Sequence, residues 1–130
     1  DEVAICEYAK KEFDSDFIFV THFPSSKPPF YAMNSKEDPR LAYKFDLLFR
    51  GLEITSGGQR IHDYNEQLEK MKAQGLNPDD FKYYLEAHKY GLPPHGGLGI
   101  GLERLVMKII GAQNVRSCSM FPRDINRLLP

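Results

Sequence analysis

The segment from Pro94 to Arg104 is the first part of the sequence whose residue types could do chemistry, because it places four glycines within six residues. Glycines without side chains let a backbone approach a flat or bulky ligand closely. The residues that follow begin a predicted helix, whose N-terminal N–H groups favour anions. Arg104 falls in its first turn, where a guanidinium can hold a phosphate through two hydrogen bonds. The segment therefore predicts an anion-binding turn, and a tightly packed strand-to-helix turn with Arg104 in solvent is the alternative.

This glycine segment does not match the two common nucleotide-binding motifs. A dinucleotide fingerprint starting at Gly97 would need glycine at position 102, where Leu102 stands. A P-loop would need Gly-Lys-Ser or Gly-Lys-Thr, which the sequence lacks. The spacing of the glycines alone therefore does not identify the ligand.

The second candidate region runs from Asp46 to His62 and combines acids, a hydroxyl, glycines and an arginine. Glu53 with Ser56 could hold Mg²⁺, which needs only one or two protein oxygens when phosphate and water supply the rest. Arg60 could pair with a substrate carboxylate through its planar fork. The Ser56-Gly57-Gly58 sequence predicts a break that could bring Glu53 and Arg60 onto one surface. An amphipathic hairpin with its charges in solvent is the alternative.

Other catalytic patterns are not found in the sequence. The four histidines lack the spacing of a metal motif, and Ser, Cys and His show no nucleophile–base spacing. Cys6 and Cys118 are too few and too far apart for a disulfide or metal framework, so a reducing, cytoplasmic setting is expected. We expect chemistry that is electrostatic and positional, without a covalent enzyme intermediate.

Length and composition define the scaffold that must position these residues. The chain has 130 residues, 42% hydrophobic residues and a formal net charge of -1, which is typical of one globular domain. The charge balance argues against a nucleic-acid-binding domain that depends on a basic patch. No apolar run approaches the roughly 20 residues that span a bilayer, so no membrane partner is expected.

The elements that position the candidates alternate between helical and strand patterns and predict an α+β fold with a mainly antiparallel sheet flanked by helices. In chain order they are a helix at 1–13, a buried strand at 16–23, a short strand at 30–33, strands at 42–49 and 52–54 joined by Arg50-Gly51, a resumed strand at 59–62, helices at 63–74 and 77–90, a turn at 92–97, a glycine-rich non-strand segment at 98–101, a core-facing helix from 102 to Gly111, and a strand at 114–120.

Three blocks of the sequence resemble the class II aminoacyl-tRNA synthetases. Residues 95–107, His-Gly-Gly-Leu-Gly-Ile-Gly-Leu-Glu-Arg-Leu-Val-Met, look like motif 3 of that class. Residues 45–62 are similar to the preceding strand pair of the aspartyl and asparaginyl enzymes, and residues 120–130 resemble the C-terminus of archaeal- and eukaryotic-type aspartyl enzymes. The resemblance implies a partial class II catalytic fold over residues 1–130, as the C-terminal portion of the catalytic domain.

The resemblance also implies a role for each matching residue. Arg104 would contact the ATP γ-phosphate, and Glu53 would contact ATP through Mg²⁺ beside Ser56. Arg60 would bind the aspartate side-chain carboxylate, and Asp46 would support the amino-acid site. The catalytic residues would be Arg104 and Glu53, and the ATP-binding set is Glu53, Gly99, Ile100, Gly101, Leu102, Glu103 and Arg104.

The implied activity is an aspartate–tRNA ligase that uses ATP and Mg²⁺ to form aspartyl-adenylate and then charges tRNA, as a cytoplasmic homodimer. Motif 1, motif 2 and the anticodon-binding domain of the family are not in the sequence, so we expect this chain to be inactive alone. An asparaginyl enzyme shares the Glu53 to Arg60 block and is the nearest alternative. A synthetase-like paralogue that makes a free amino acid or amide, and a non-catalytic module with the same fold, also stay open.

Overall fold

A computed structural model describes residues 1–27 and 29–128. It contains helices α1 (Glu2–Phe13), α2 (Tyr64–Ala73), α3 (Lys82–Lys89) and α4 (Leu102–Ile110), and strands β1 (Phe17–Pro24), β2 (Leu41–Phe49), β3 (Leu52–Arg60) and β4 (His95–Ile100). The strands form one sheet in the order β1-β2-β3-β4. The predicted α+β class with a mainly antiparallel sheet is confirmed.

Strands β2 and β3 form a hairpin around the two-residue turn Arg50-Gly51. Both turn residues have positive φ angles, 47° and 82°, as a type I′ turn requires. Arginine is an unusual residue for the first position, but its guanidinium is held by Asp16, with Nη2 at 2.7 Å and Nε at 3.0 Å from Oδ2. Its Nη1 also donates to the Lys108 carbonyl at 3.2 Å. These tertiary bonds offset the backbone strain at Arg50.

The chain divides into two compact units, each assembled from separated segments of sequence. The α1–α4 unit contains Asp1–Val20, Asp46–Ser56 and the described residues from Gly99 onward. The α2–α3 unit contains Thr21–Phe45 and Gly57–Leu98. Because neither unit is continuous, no linker or composition boundary in the sequence could reveal the division.

In the α1–α4 unit, helix α1 begins at a capping side chain, since Asp1 accepts hydrogen bonds from the backbone of Val3 and Ala4. Helix α4 ends at Gly111, as predicted, with φ of 71°. Its predicted burial is wrong in this chain. No residue of α4 is buried, and Leu102, Ile109 and Ile110 are each more than 60% exposed.

In the α2–α3 unit, both predicted helices are confirmed. Asp63 caps α2 by accepting from the Glu66 N–H, and Gln67 and Met71 are its buried residues. Asn77 caps a 3₁₀ turn, Pro78–Phe81, which leads into α3. Helix α3 buries Leu85 and His88, so its face packs inward as predicted.

The predicted break at residues 56–58 is wrong, because β3 runs without interruption from Leu52 to Arg60. The prediction that residues 98–101 are too rich in glycine for a strand is also wrong, since β4 extends to Ile100. Crowding explains the glycines: a Cβ on Gly57 would lie 2.7 Å from the Leu98 Cβ and 2.8 Å from the Phe45 Cζ. Pairing with close neighbours outweighs the low strand propensity of glycine here.

Three further strand predictions need correction. Strand β1 is present but not buried, because it lies at the sheet edge and leaves Phe17 and Phe19 exposed. Residues 30–33 make isolated bridges, Ala32 with Arg60 and, just beyond, Asn34 with Ala42, in place of a strand. The predicted strand at 114–120 is instead a 3₁₀ turn, Val115–Cys118, which Asn114 caps through the Arg116 N–H.

The last two residues of the block at 120–130 lie outside the described part of the chain. Within the described part, the helices are too short and too polar to cross a membrane.

Candidate functional site

In the α1–α4 unit, Arg104 and Glu53 lie in contact. The Arg104 Nη1 donates to the Glu53 backbone carbonyl at 2.9 Å and lies 3.9 Å from its Oε1. Half of the arginine side chain and a third of the glutamate side chain remain exposed. The carboxylate and the guanidinium are therefore both accessible to a ligand that carries phosphate and a metal ion.

The start of α4 provides backbone groups next to this pair. Gly101 donates its N–H to the Ile54 carbonyl at 2.8 Å, which joins the end of β4 to β3. No side chain caps the first turn of α4, so its N–H groups can receive an anion. A Cβ on Gly99 would meet no atom within 4 Å, which leaves open space over the backbone. The neighbouring side chains of Ile100 and Leu102 are exposed.

Asp46 and Ser56 belong to the same unit but differ in exposure. Asp46 on β2 is buried, with 8% of its surface exposed, while Ser56 on β3 is half-buried. The described residues contain no group of three or more His, Cys, Asp or Glu that could hold a metal alone. In their chemistry, one carboxylate from Glu53 and one hydroxyl from Ser56 suit a Mg²⁺ ion that takes its other ligands from phosphate and water.

In the α2–α3 unit, the exposed Arg60 lies close to an aromatic ring and to a glycine backbone. Its Cζ lies 5.2 Å from the centroid of the Tyr31 ring, within the range of a cation–π interaction. A Cβ on Gly97 would lie 2.9 Å from the Arg60 Nη2 and 3.1 Å from its Nε, so a larger residue there would displace the guanidinium from this position. The exposed donors of the fork can reach a carboxylate.

The Tyr84 hydroxyl adds an electrostatic component to the surroundings of Arg60. Burial raises the pKa of Tyr84, and the positive charge of Arg60 acts in the opposite direction. The hydroxyl is therefore neutral at physiological pH and can donate a hydrogen bond.

Sequence reasoning missed Tyr31 and Gly97 as neighbours of Arg60. Gly97 was already part of the glycine segment, but spacing could not relate it to residue 60. One sequence feature could have indicated Tyr31: it is an aromatic residue directly after the proline-rich connection, and an aromatic ring can pack against an arginine such as Arg60. Both contacts depend on tertiary pairing of distant segments.

The sequence profile of the family described as tRNA synthetases class II (D, K and N) matches residues 1–125, and this chain belongs to that family. It is 56% identical over 124 residues to the aspartate–tRNA(Asp/Asn) ligase of Thermus thermophilus, covering 95% of this chain and 29% of that protein. Among solved structures, it is similar to the aspartyl-tRNA synthetase of Entamoeba histolytica, with a TM-score of 0.93 and 41% identity over 99% of this chain and 27% of the other.

An asparaginyl-tRNA synthetase from Pyrococcus horikoshii is also similar, with a TM-score of 0.85 and 34% identity over 98% of this chain and 31% of the other. The aspartyl structure is thus the nearer of the two in both sequence and backbone. The chain spans under a third of the length of the curated relatives it matches.

Proposed function

We propose that this chain is the C-terminal portion of the catalytic domain of an aspartate–tRNA ligase. The supporting observation is that a family match over residues 1–125 coincides with two arginines held in the local geometries that anion recognition needs. The substrates of the whole protein would be aspartate, ATP and tRNA. A cytoplasmic homodimer is the assembly that the family resemblance implies.

Arg104 would bind the terminal phosphate of ATP. Its bond to the Glu53 backbone carbonyl uses one N–H and leaves the remaining donors of the guanidinium for phosphate oxygens. The uncapped start of α4 adds backbone N–H groups, and the backbone from Gly99 to Leu102 would lie beneath the adenosine. The arginine would thereby stabilise charge on the departing pyrophosphate.

Glu53 and Ser56 would hold Mg²⁺, with Asp46 as a supporting acid. When bound, Mg²⁺ neutralises phosphate charge and helps to orient the triphosphate. The Glu53 carboxylate already lies 3.9 Å from the Arg104 Nη1, so one acid can face both the metal ion and the arginine.

Arg60 would bind the side-chain carboxylate of aspartate through two parallel hydrogen bonds. The α-carboxylate of the bound aspartate would then attack the α-phosphorus of ATP, a new P–O bond would form, and the bond to pyrophosphate would break. The resulting aspartyl-adenylate would pass its aspartyl group to the terminal adenosine of tRNA. The contribution of the protein is positioning and charge stabilisation, in agreement with the lack of a nucleophile–base pair in the sequence.

The test is ATP–pyrophosphate exchange, measured for the full-length protein that carries this sequence and for this chain alone. We expect exchange by the full-length protein that depends on added aspartate, and none by this chain, because it spans under a third of its relatives. Absence of aspartate-dependent exchange in folded full-length protein would overturn the proposed function. Robust exchange by this chain would overturn the expectation that it is a portion of the catalytic unit.

A further inference from the structure

Gln67 is a fully buried polar residue outside the region assigned to substrates. It lies on α2 with 0% of its surface exposed. Its Nε2 donates to the Phe30 carbonyl at 2.9 Å, and its Oε1 accepts a longer hydrogen bond from the Tyr84 hydroxyl at 3.4 Å. A buried amide stabilises a fold little more than an apolar residue of the same shape would. Its two hydrogen bonds therefore point to a role in fixing the positions of the Phe30 carbonyl and the Tyr84 hydroxyl.

The segment that Gln67 holds is bonded to β3 on both sides of Arg60. The Met33 N–H donates to the Gln59 carbonyl at 3.0 Å, and the Ile61 N–H donates to the Tyr31 carbonyl at 2.9 Å. The Tyr31 ring lies beside the Arg60 guanidinium, 5.2 Å from its Cζ. Because Phe30 directly precedes Tyr31, a shift of the Phe30 carbonyl would carry that ring with it.

Tyr84 connects the same amide to Arg60 from α3. Its ring packs edge-on against Phe30, with centroids 5.5 Å apart, while its hydroxyl bonds to Gln67. The charge of Arg60 also acts on that hydroxyl. Gln67 thus bonds to the residue before Tyr31 and to the hydroxyl of a ring that packs against that residue.

We propose that Gln67 is a positioning residue for Arg60, because its amide fixes the Phe30–Tyr31 segment whose ring lies near the guanidinium, with Tyr84 packed against that segment. The inference rests on the proposed function, in which Arg60 binds the carboxylate of aspartate. Gln67 touches no substrate in this account. Its effect passes through Arg60 and should appear in aspartate binding alone.

The test is Gln67→Met in the full-length protein, a change that keeps a long unbranched side chain and removes both hydrogen bonds. We expect KM for aspartate to rise roughly five- to thirty-fold, the effect of losing hydrogen bonds worth about 1–2 kcal/mol, with KM for ATP unchanged. The matched control is Met71→Ala, which opens a cavity at another fully buried position of α2. It should lower the melting temperature without a selective change in KM for aspartate.

A second variant keeps the inference testable if Gln67→Met fails to fold. Tyr84→Phe removes only the hydroxyl, and it should raise KM for aspartate by a smaller factor in the same direction. In the Tyr31→Leu background, Gln67→Met should add little to KM for aspartate, since the ring that it positions is gone. If the fold-changes in KM for aspartate caused by Tyr31→Leu and Gln67→Met simply multiply in the double variant, the inference is overturned.

Failure of the inference can be told apart from failure of the proposed function. If the wild-type protein shows aspartate-dependent exchange and both Gln67→Met and Tyr84→Phe leave KM for aspartate unchanged, the inference is wrong and the function stands. Equal rises in both KM values, matching those of Met71→Ala, also overturn it. Absence of exchange in the folded wild type overturns the function itself.

Discussion

Arg104 and Arg60 are both proposed to bind anions, yet they are held in different ways. Arg104 is attached through one hydrogen bond to the Glu53 carbonyl, and half of its side chain is exposed. Arg60 lies near the Tyr31 ring, and its guanidinium occupies the space that a Cβ on Gly97 would need. Arg104 is thus held by a bond to a backbone carbonyl, whereas the exposed Arg60 is limited in its positions by the ring and the backbone that border it.

The difference fits the two ligands. A phosphate presents oxygens in several directions, so an arginine that can adjust still binds it well. A side-chain carboxylate is planar and must be distinguished from an amide of the same size, so the fork that binds it gains from a fixed orientation. We infer that selectivity resides with Arg60 and that charge stabilisation resides with Arg104.

The largest expected effect follows from Arg60→Leu in the full-length protein. It leaves the substrate carboxylate without its partner, and we expect a loss of roughly 2–5 kcal/mol in kcat/KM for aspartate. Arg60→Lys keeps the charge but loses the fork, so its loss should be smaller. Steady-state exchange kinetics with aspartate and ATP varied separately check this. If the Arg60 variants change KM for ATP and leave KM for aspartate unchanged, the assignment of aspartate to Arg60 and of ATP to Arg104 is contradicted.

Arg104→Ala should have the next largest effect, on ATP. Removing a charge-assisted contact to phosphate costs about 1.5–3 kcal/mol, which corresponds to roughly a ten- to hundredfold loss in kcat/KM for ATP. The control is Lys108→Ala, which removes a cation one turn further along α4. If both variants affect ATP equally, general charge and not the position of Arg104 is responsible.

Gly97→Ala tests the confinement of Arg60 without removing any charge. The new Cβ would lie 2.9 Å from the Arg60 Nη2, so the guanidinium must turn away. Because that group is the flexible end of a side chain, we expect a nearly unchanged melting temperature but about a tenfold rise in KM for aspartate.

Gly99→Ala is the matched control for Gly97→Ala, since a Cβ at position 99 would meet nothing within 4 Å. Any change there should appear in KM for ATP. A rise in KM for aspartate with Gly99→Ala, or none with Gly97→Ala, would refute the proposed confinement.

The smallest expected effect concerns stability near the Arg50-Gly51 turn. The hydrogen bond from Arg50 holds the pKa of Asp16 below its ordinary value of 3.8, assisted by the bond from Lys10. This contribution is present above pH 3.8 and is lost as pH falls through the folded-state pKa. Asp16→Asn should therefore lower the melting temperature at neutral pH, and the difference from wild type should shrink toward low pH.

Added salt should shrink the same difference, because the ion pair is solvent-accessible. Glu12→Gln, at a more exposed pair with Lys11, serves as the control and should change little. A difference for Asp16→Asn that stays constant with pH would show that Arg50 and Asp16 do not interact through charge.

The sequence was most informative where local signals and periodicity determine structure. Helical spacing predicts both helices of the α2–α3 unit, Asn77 marks the start of the second, and Gly111 marks the end of α4. Capping and helical spacing act over a few residues and can be read directly.

The errors arose where distant segments determine the outcome. Gly57 and Gly58 looked like a strand break, and β4 looked too rich in glycine, because the neighbours that need those small residues are far away in sequence. Gln67 was overlooked for the same reason. It lies four residues before Met71 on one helical face, and that spacing was the available sign that an amide would be buried.

The most direct test of the account is the ratio of kcat/KM for aspartate to that for asparagine, measured by ATP–pyrophosphate exchange with the full-length protein. We expect strong preference for aspartate, because the charged fork of Arg60 pairs with a carboxylate better than with an amide. Equal use of both amino acids, or a preference for asparagine, would contradict it.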